Sequence, residues 1–167
     1  MAYDKTNGLN SKSKTSSKSQ NGISNTKVVG RKNKRLVTLI NAKSEVYLGK
    51  VIIELPLQTK SEANCFEPWR MRHARHKEQK RVVSLALKPV VANVKLPCRV
   101  LLTRYAPVSL DEFENLPMSF KYIVDSICAL ITGDYRPGRA DADKRIKLAC
   151  AQVKSKAYGI RIEISWD

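Results

Sequence analysis

Residues 117–133, PMSFKYIVDSICALITG, decide the fold. Phe120, Ile123, Val124, Ile127, Leu130 and Ile131 recur at the i, i+3, i+4, i+7 spacing that puts apolar side chains on one face of a helix. Pro117 in the first turn and Gly133 just past the last apolar residue bracket that helix. A helix with one apolar face needs a partner layer, and the chain on either side offers strands. Downstream, an irregular loop from Asp134 to Asp143 leads to Ile146, Leu148 and Cys150, which alternate with Lys147, Ala149 and Ala151. Ile160, Ile162, Ile164 and Trp166 alternate in the same way, and Ser155 to Gly159 are suited to a hairpin between the two runs.

Upstream, Cys98 to Tyr105 reads as a strand closed by Pro107. Trp69 to Leu87 reads as a helix with one strongly basic flank, stopped or kinked near Pro89. Two further β-like runs, Leu36 to Ile40 and Val46 to Leu57, open the folded part, and Pro56 suits the end or edge of a strand. The expected fold is α+β: a small mixed sheet with two main helices in the order β-α-β-α-β-β.

The charge is large and uneven. Thirty-one Lys and Arg against fifteen Asp and Glu give the 167 residues a net charge of +16, which favours a polyanionic partner. Residues 1–35 carry nine Lys/Arg and a single acid, Asp4, in a Ser/Asn/Gly/Thr-rich stretch that cannot bury enough surface to offset chain entropy. They are expected to form a disordered basic tail, either an electrostatic tether or a solubilising extension, with one folded domain over 36–167. No run approaches the roughly 20 apolar residues of a membrane span, and the polar N-terminus is unlike a signal peptide, so a soluble cytoplasmic protein is expected. Cys65, Cys98, Cys128 and Cys150 are too scattered for a zinc knuckle or a tight disulfide framework.

The few acids cluster. Asp111, Glu112 and Glu114 precede the second helix, and Asp141 and Asp143 precede a strand. Carboxylates gathered in a basic chain suit a hard cation such as Mg²⁺ or Mn²⁺, which activates water for attack on a phosphodiester while positive flanks hold the phosphates. Acids before a helix also act as caps, and acids in a loop as solvated turns. The basic flank supplies Arg70, Arg72, Arg75, Lys77, Lys80 and Arg81 for phosphates, and the irregular loop adds Arg136 and Arg139. His73 and His76, three apart on the same helix, fit phosphate contact better than zinc. Trp69 and Tyr135 border basic stretches where a base could stack. Lys121 and Asp125 at i, i+4 form either a surface ion pair or a lysine aimed at a scissile phosphate.

From about Lys50 onward the chain resembles the RusA-type Holliday-junction resolvase family. Glu54-Leu55-Pro56-Leu57 with Asn64 resembles that family's opening strand and turn, and Glu112-Phe113-Glu114-Asn115 resembles its D-x-D-N group. Lys121 and Asp125 resemble its helical Lys and Asp. Arg139-Ala140-Asp141-Ala142-Asp143 stands where the family has an Asp pair, and Gln152, Lys154 and Tyr158-Gly159-Ile160 fit its closing strands. Glutamates replace both aspartates of the first motif, unless Asp111 serves with Glu114, and alanine replaces the first member of the later pair. The resemblance implies a homodimeric, Mg²⁺- or Mn²⁺-dependent endonuclease acting on branched DNA, with no small-molecule cofactor. Its implied ligands are Glu112 or Asp111, Glu114 and Asp141, with Asp143 as an additional one and Lys121 as electrostatic helper. The alternatives are a catalytically silent DNA-binding relative and an RNA-binding accessory protein.

Overall fold

The structure, a computed structural model, describes residues 43–63, 65–136 and 139–167. The basic tail, the run Leu36 to Ile40, Asn64, Pro137 and Gly138 lie outside the described residues.

Five strands form one sheet: β1 (Lys43–Tyr47), β2 (Lys50–Leu55), β3 (Cys98–Ala106), β4 (Ile146–Lys154) and β5 (Gly159–Trp166). Three helices accompany them: α1 (Trp69–Leu87), α2 (Asn115–Ser119) and α3 (Lys121–Thr132). The sheet order is β1-β2-β5-β3-β4, with β3 and β4 parallel and every other neighbouring pair antiparallel. The mixed α+β architecture expected from the sequence is therefore present, and three details differ.

The run Val46 to Leu57 is not one strand. It turns back at Leu48-Gly49, so that Tyr47 pairs with Lys50 in a two-residue hairpin. Gly49 sits at φ +72°, and a Cβ there would come within 2.9 Å of the Trp166 carbonyl oxygen. Only glycine meets both demands.

The second difference is a break in the helix 117–133 at Phe120, which adopts φ −101° and ψ −3° between α2 and α3. The Phe120 amide reaches back only three residues, to Pro117 O, and the ring is completely buried. The apolar period runs through the break, which is why periodicity alone did not show it. Gly133 ends α3 in the left-handed conformation, with its N–H on the Ala129 carbonyl.

The third difference concerns β4 and β5, which do not form a hairpin, because β3 lies between them. In β5 the alternation is complete, with Ile160, Ile162 and Ile164 all buried, so it takes an interior position between β2 and β3. In β4 Leu148 stays exposed, and that strand takes the edge.

The helices cover one face of the sheet. Val51, Ile53, Leu55, Val100, Leu102 and the three β5 isoleucines meet Val82, Val83 and Leu87 of α1 and Ile123, Ile127 and Cys128 of α3. All four cysteines are free thiols, and burial pushes that of Cys128 up to about 12. The core residues of α1 all lie in its second half, so the first half must be held by something other than apolar packing.

Candidate nucleic-acid interface

A polar clamp holds the first half of α1. Arg75 donates to Glu62 at 2.5 Å and, through Nε and Nη2, to Glu67 at 3.0 and 2.8 Å. Arg72 Nη2 reaches the Cys65 carbonyl at 2.5 Å, and His76 Nε2 lies 3.1 Å from Glu62. Burial raises the Glu62 carboxyl, but the Arg75 hydrogen bond and the adjacent His76 ring outweigh it and hold the group below its ordinary value. Burial pushes His76 down in turn, so the ring is neutral beside an ionised carboxylate at neutral pH. Two of the arginines on the basic flank are thus structural. Arg81 bonds to Glu78 one turn back, at 2.9 and 2.8 Å. Arg70, Lys77 and Lys80 remain exposed.

Between α1 and α3 lies a groove of about 690 Å³ lined by Trp69, Arg72, His73, His76, Lys77, Lys80 and Tyr122. Trp69 stacks on His73 with centroids 5.3 Å apart, and His76 stacks on Tyr122 at 3.5 Å. Lys80 Nζ stands 5.4 Å from the Tyr122 ring centroid. Cations interleaved with flat rings along one groove suit a sugar-phosphate strand and its bases.

Lys80 also borders a cleft of about 310 Å³ whose wall includes Asp125, Asp134, Arg136 and Asp141. Asp125 answers Lys80 at 3.7 Å rather than Lys121, which is exposed at the start of α3. Asp134 accepts from Arg136 at 2.9 and 2.6 Å, and that bond holds its carboxyl far below the usual range. Asp143 is bound by Arg145 at 2.7 Å and lowered to about 2. Tyr135 is exposed at the same cleft, and Arg139 is exposed beyond it.

The first acidic group serves the backbone. Asp111 accepts the amide of Glu114 at 2.8 Å and that of Asn115 at 3.3 Å, and it also takes the Asn115 side-chain N–H. These bonds occupy donors that the start of α2 would otherwise leave open. Glu112 and Glu114 point into solvent. Asp141 belongs to the cleft beside α3, so the ligand set drawn from the resemblance is not brought together. Among the described residues no three His, Cys, Asp or Glu side chains converge on a point where they could hold a metal ion. Glu112, Glu114 and Asp141, with Asp111 or Asp143 added, do not fit Mg²⁺ or Mn²⁺ in this arrangement.

Two contacts knit the region around the acidic turn. Ser61 donates to the Asn115 side-chain carbonyl at 2.5 Å, and Gln152 bonds both backbone groups of Leu110, accepting at 2.9 Å and donating at 2.7 Å. Arg104, buried on β3 beneath the same turn, escaped the sequence reading altogether. Its signal was present, because it continues the inward series Cys98, Val100, Leu102 at a period of two. No helix among the described residues is long and apolar enough to cross a membrane. No protein-family model matches the chain, and no curated protein matches it either.

Proposed function

We propose that the chain is a DNA-binding domain of the RusA type that holds branched DNA along the groove between α1 and α3. The observation that carries this reading is the pairing of ring stacks with exposed cations, Trp69/His73 and His76/Tyr122 beside Lys77 and Lys80, in a chain of net charge +16. The rings offer stacking surfaces to exposed bases, and the lysines neutralise backbone charge without reading sequence. A branch point presents both, because its strands leave the stack there. The homodimer implied by the resemblance would set two grooves against two arms.

The test is affinity for a synthetic four-way junction and for a matched duplex in EDTA, with wild type and Lys77→Gln/Lys80→Gln. Junction preference that collapses in the variant supports the reading. Equal affinity of both proteins for both DNAs defeats it, and a preference for RNA hairpins of the same length would move it to the RNA-binding alternative.

Hydrolysis is the second reading, with Asp141 as the acid to test, because its cleft adjoins the groove through Lys80. Cleavage of the junction with Mg²⁺ or Mn²⁺ that is lost in Asp141→Asn would establish it. Tight binding without cleavage under either ion leaves the silent DNA-binding relative.

A further inference from the structure

Arg104 faces inward from β3, in the series Cys98, Val100, Leu102, Arg104, Ala106, and is only 6% exposed. Alternation reserves that position for an uncharged residue, because a buried guanidinium loses its hydration. Where arginine is buried, a carboxylate ordinarily meets it. Among the described residues none does. Nε donates to Thr59 Oγ1 at 3.2 Å and Nη1 to the Val108 carbonyl at 2.8 Å, both neutral acceptors, and Nη2 donates to no described residue. Burial pushes the guanidinium below its ordinary range, with only Tyr158 acting in the opposite sense.

This charge borders open space. Arg104 lines a cavity of about 760 Å³ shared with Lys60, Ser61, Asn115 and Tyr158, between the loop after β2 and the turn before α2. Glu67, the acid in the wall, is already taken by Arg75 at 2.8 Å, with Lys60 3.8 Å away. Phe66 and Met71 present apolar surface at the rim, the phenyl ring fully exposed. A buried forked cation that shares its cavity with the Lys60 ammonium and the Tyr158 hydroxyl, and with a bare ring, complements a phosphate joined to a planar base.

We infer that this cavity is a phosphate subsite that takes one nucleotide unit of a DNA strand, with Arg104 as the buried ligand of the phosphate. The inference rests on the DNA-binding reading and extends it to a second location, since none of the groove residues lines this cavity.

The experiment uses the full chain, with thermal melting and the ¹⁵N resonance of Arg104 Nε as readouts. The probes are pentathymidylate, thymidine 5′-monophosphate, inorganic phosphate and, as a carboxylate control, acetate at matched ionic strength. Wild type should show a shifted Arg104 Nε resonance and a raised melting temperature, with pentathymidylate bound more tightly than the monophosphate. Arg104→Met should lose about tenfold or more in pentathymidylate affinity, because the forked charge-assisted contact is gone. Its melting temperature without ligand should hold or rise, because an uncompensated buried charge has been removed. Undiminished affinity in Arg104→Met overturns the inference and assigns the response to the basic surface. An unmoved Nε resonance, with lowered stability of the variant, reduces Arg104 to a tie between Thr59 and Val108 and also overturns it. Acetate matching phosphate defeats the phosphate assignment, and tighter binding of the monophosphate than of the oligomer defeats the strand assignment. Should Arg104→Met not fold, Arg104→Lys and the wild-type resonance decide in its place. Lys77→Gln/Lys80→Gln separates the two readings: if it binds junction like wild type while Arg104→Met does not, the groove fails and the cavity stands.

Discussion

Ser61 and Asn115, 54 positions apart in the chain, meet through a 2.5 Å hydrogen bond between hydroxyl and side-chain carbonyl. That contact fastens the loop after β2 to the turn before α2, and both surround the Arg104 cavity. Ser61→Ala and Asn115→Ala, measured singly and together by chemical denaturation, should show a coupling of about 0.5–1.5 kcal/mol, the usual net worth of one such bond. Additive effects would show that the two residues do not stabilise each other.

Basic residues on one helix should separate into two kinds. Arg75 carries the clamp to Glu62 and Glu67, so Arg75→Gln should cost about 1–3 kcal/mol of stability by leaving two half-buried carboxylates without their charged donor. Lys77→Gln/Lys80→Gln should leave the melting temperature nearly unchanged and flatten the salt dependence of DNA affinity by about two counterions in log-log slope. The reverse pattern, stability lost with the lysines and salt slope lost with Arg75, would contradict the assignment.

Acid should weaken the fold in two stages. Burial holds His76 below its ordinary 6.5, so the unfolded chain takes up that proton first and stability declines as pH falls below 6.5. Hydrogen bonds hold the carboxyls of Glu62, Glu67 and Asp143 below their ordinary values, Asp143 falling from 3.8 to about 2 through Arg145. Their contribution is fully present above the unfolded carboxylate range and disappears as pH falls from about 4 toward 2. His76→Gln should remove the first stage and leave the second, as followed by melting temperature across the range.

The acids singled out by the resemblance should behave differently from one another. Asp111→Ala should lower the melting temperature, because the Glu114 and Asn115 amides lose their acceptor. Glu112→Gln and Glu114→Gln, both exposed, should leave it unchanged. A stability gain on adding Mn²⁺ that vanishes with Glu112→Gln or Glu114→Gln would show that these side chains do reach a common ion.

Elements whose evidence lies in a single run of chain were legible in the sequence: α1 over Trp69–Leu87, the end of α3 at Gly133, and the three later strands, each read from its own period and punctuation. Such signals arise from local backbone sterics and from one face of one element, and they need no knowledge of neighbours. Strand order was not of this kind. Ile160, Ile162 and Ile164 announce a strand, but whether β5 lies beside β4 or between β2 and β3 depends on which arrangement buries them, and that is a property of the whole sheet. The same holds for the charges. Nothing local distinguishes Arg75, which spends its charge on Glu62 and Glu67, from Lys77, which keeps its charge in the groove. Asp111 and Asp141 read alike as clustered acids, yet one caps a backbone turn and the other lines a cleft beside α3. Arg104 is the clearest case. Its place in an alternating strand was visible, but its lack of a carboxylate partner among the described residues and its opening onto a cavity arise only when the loop after β2 folds over the end of β3, because a charge finds its partner through space rather than along the chain.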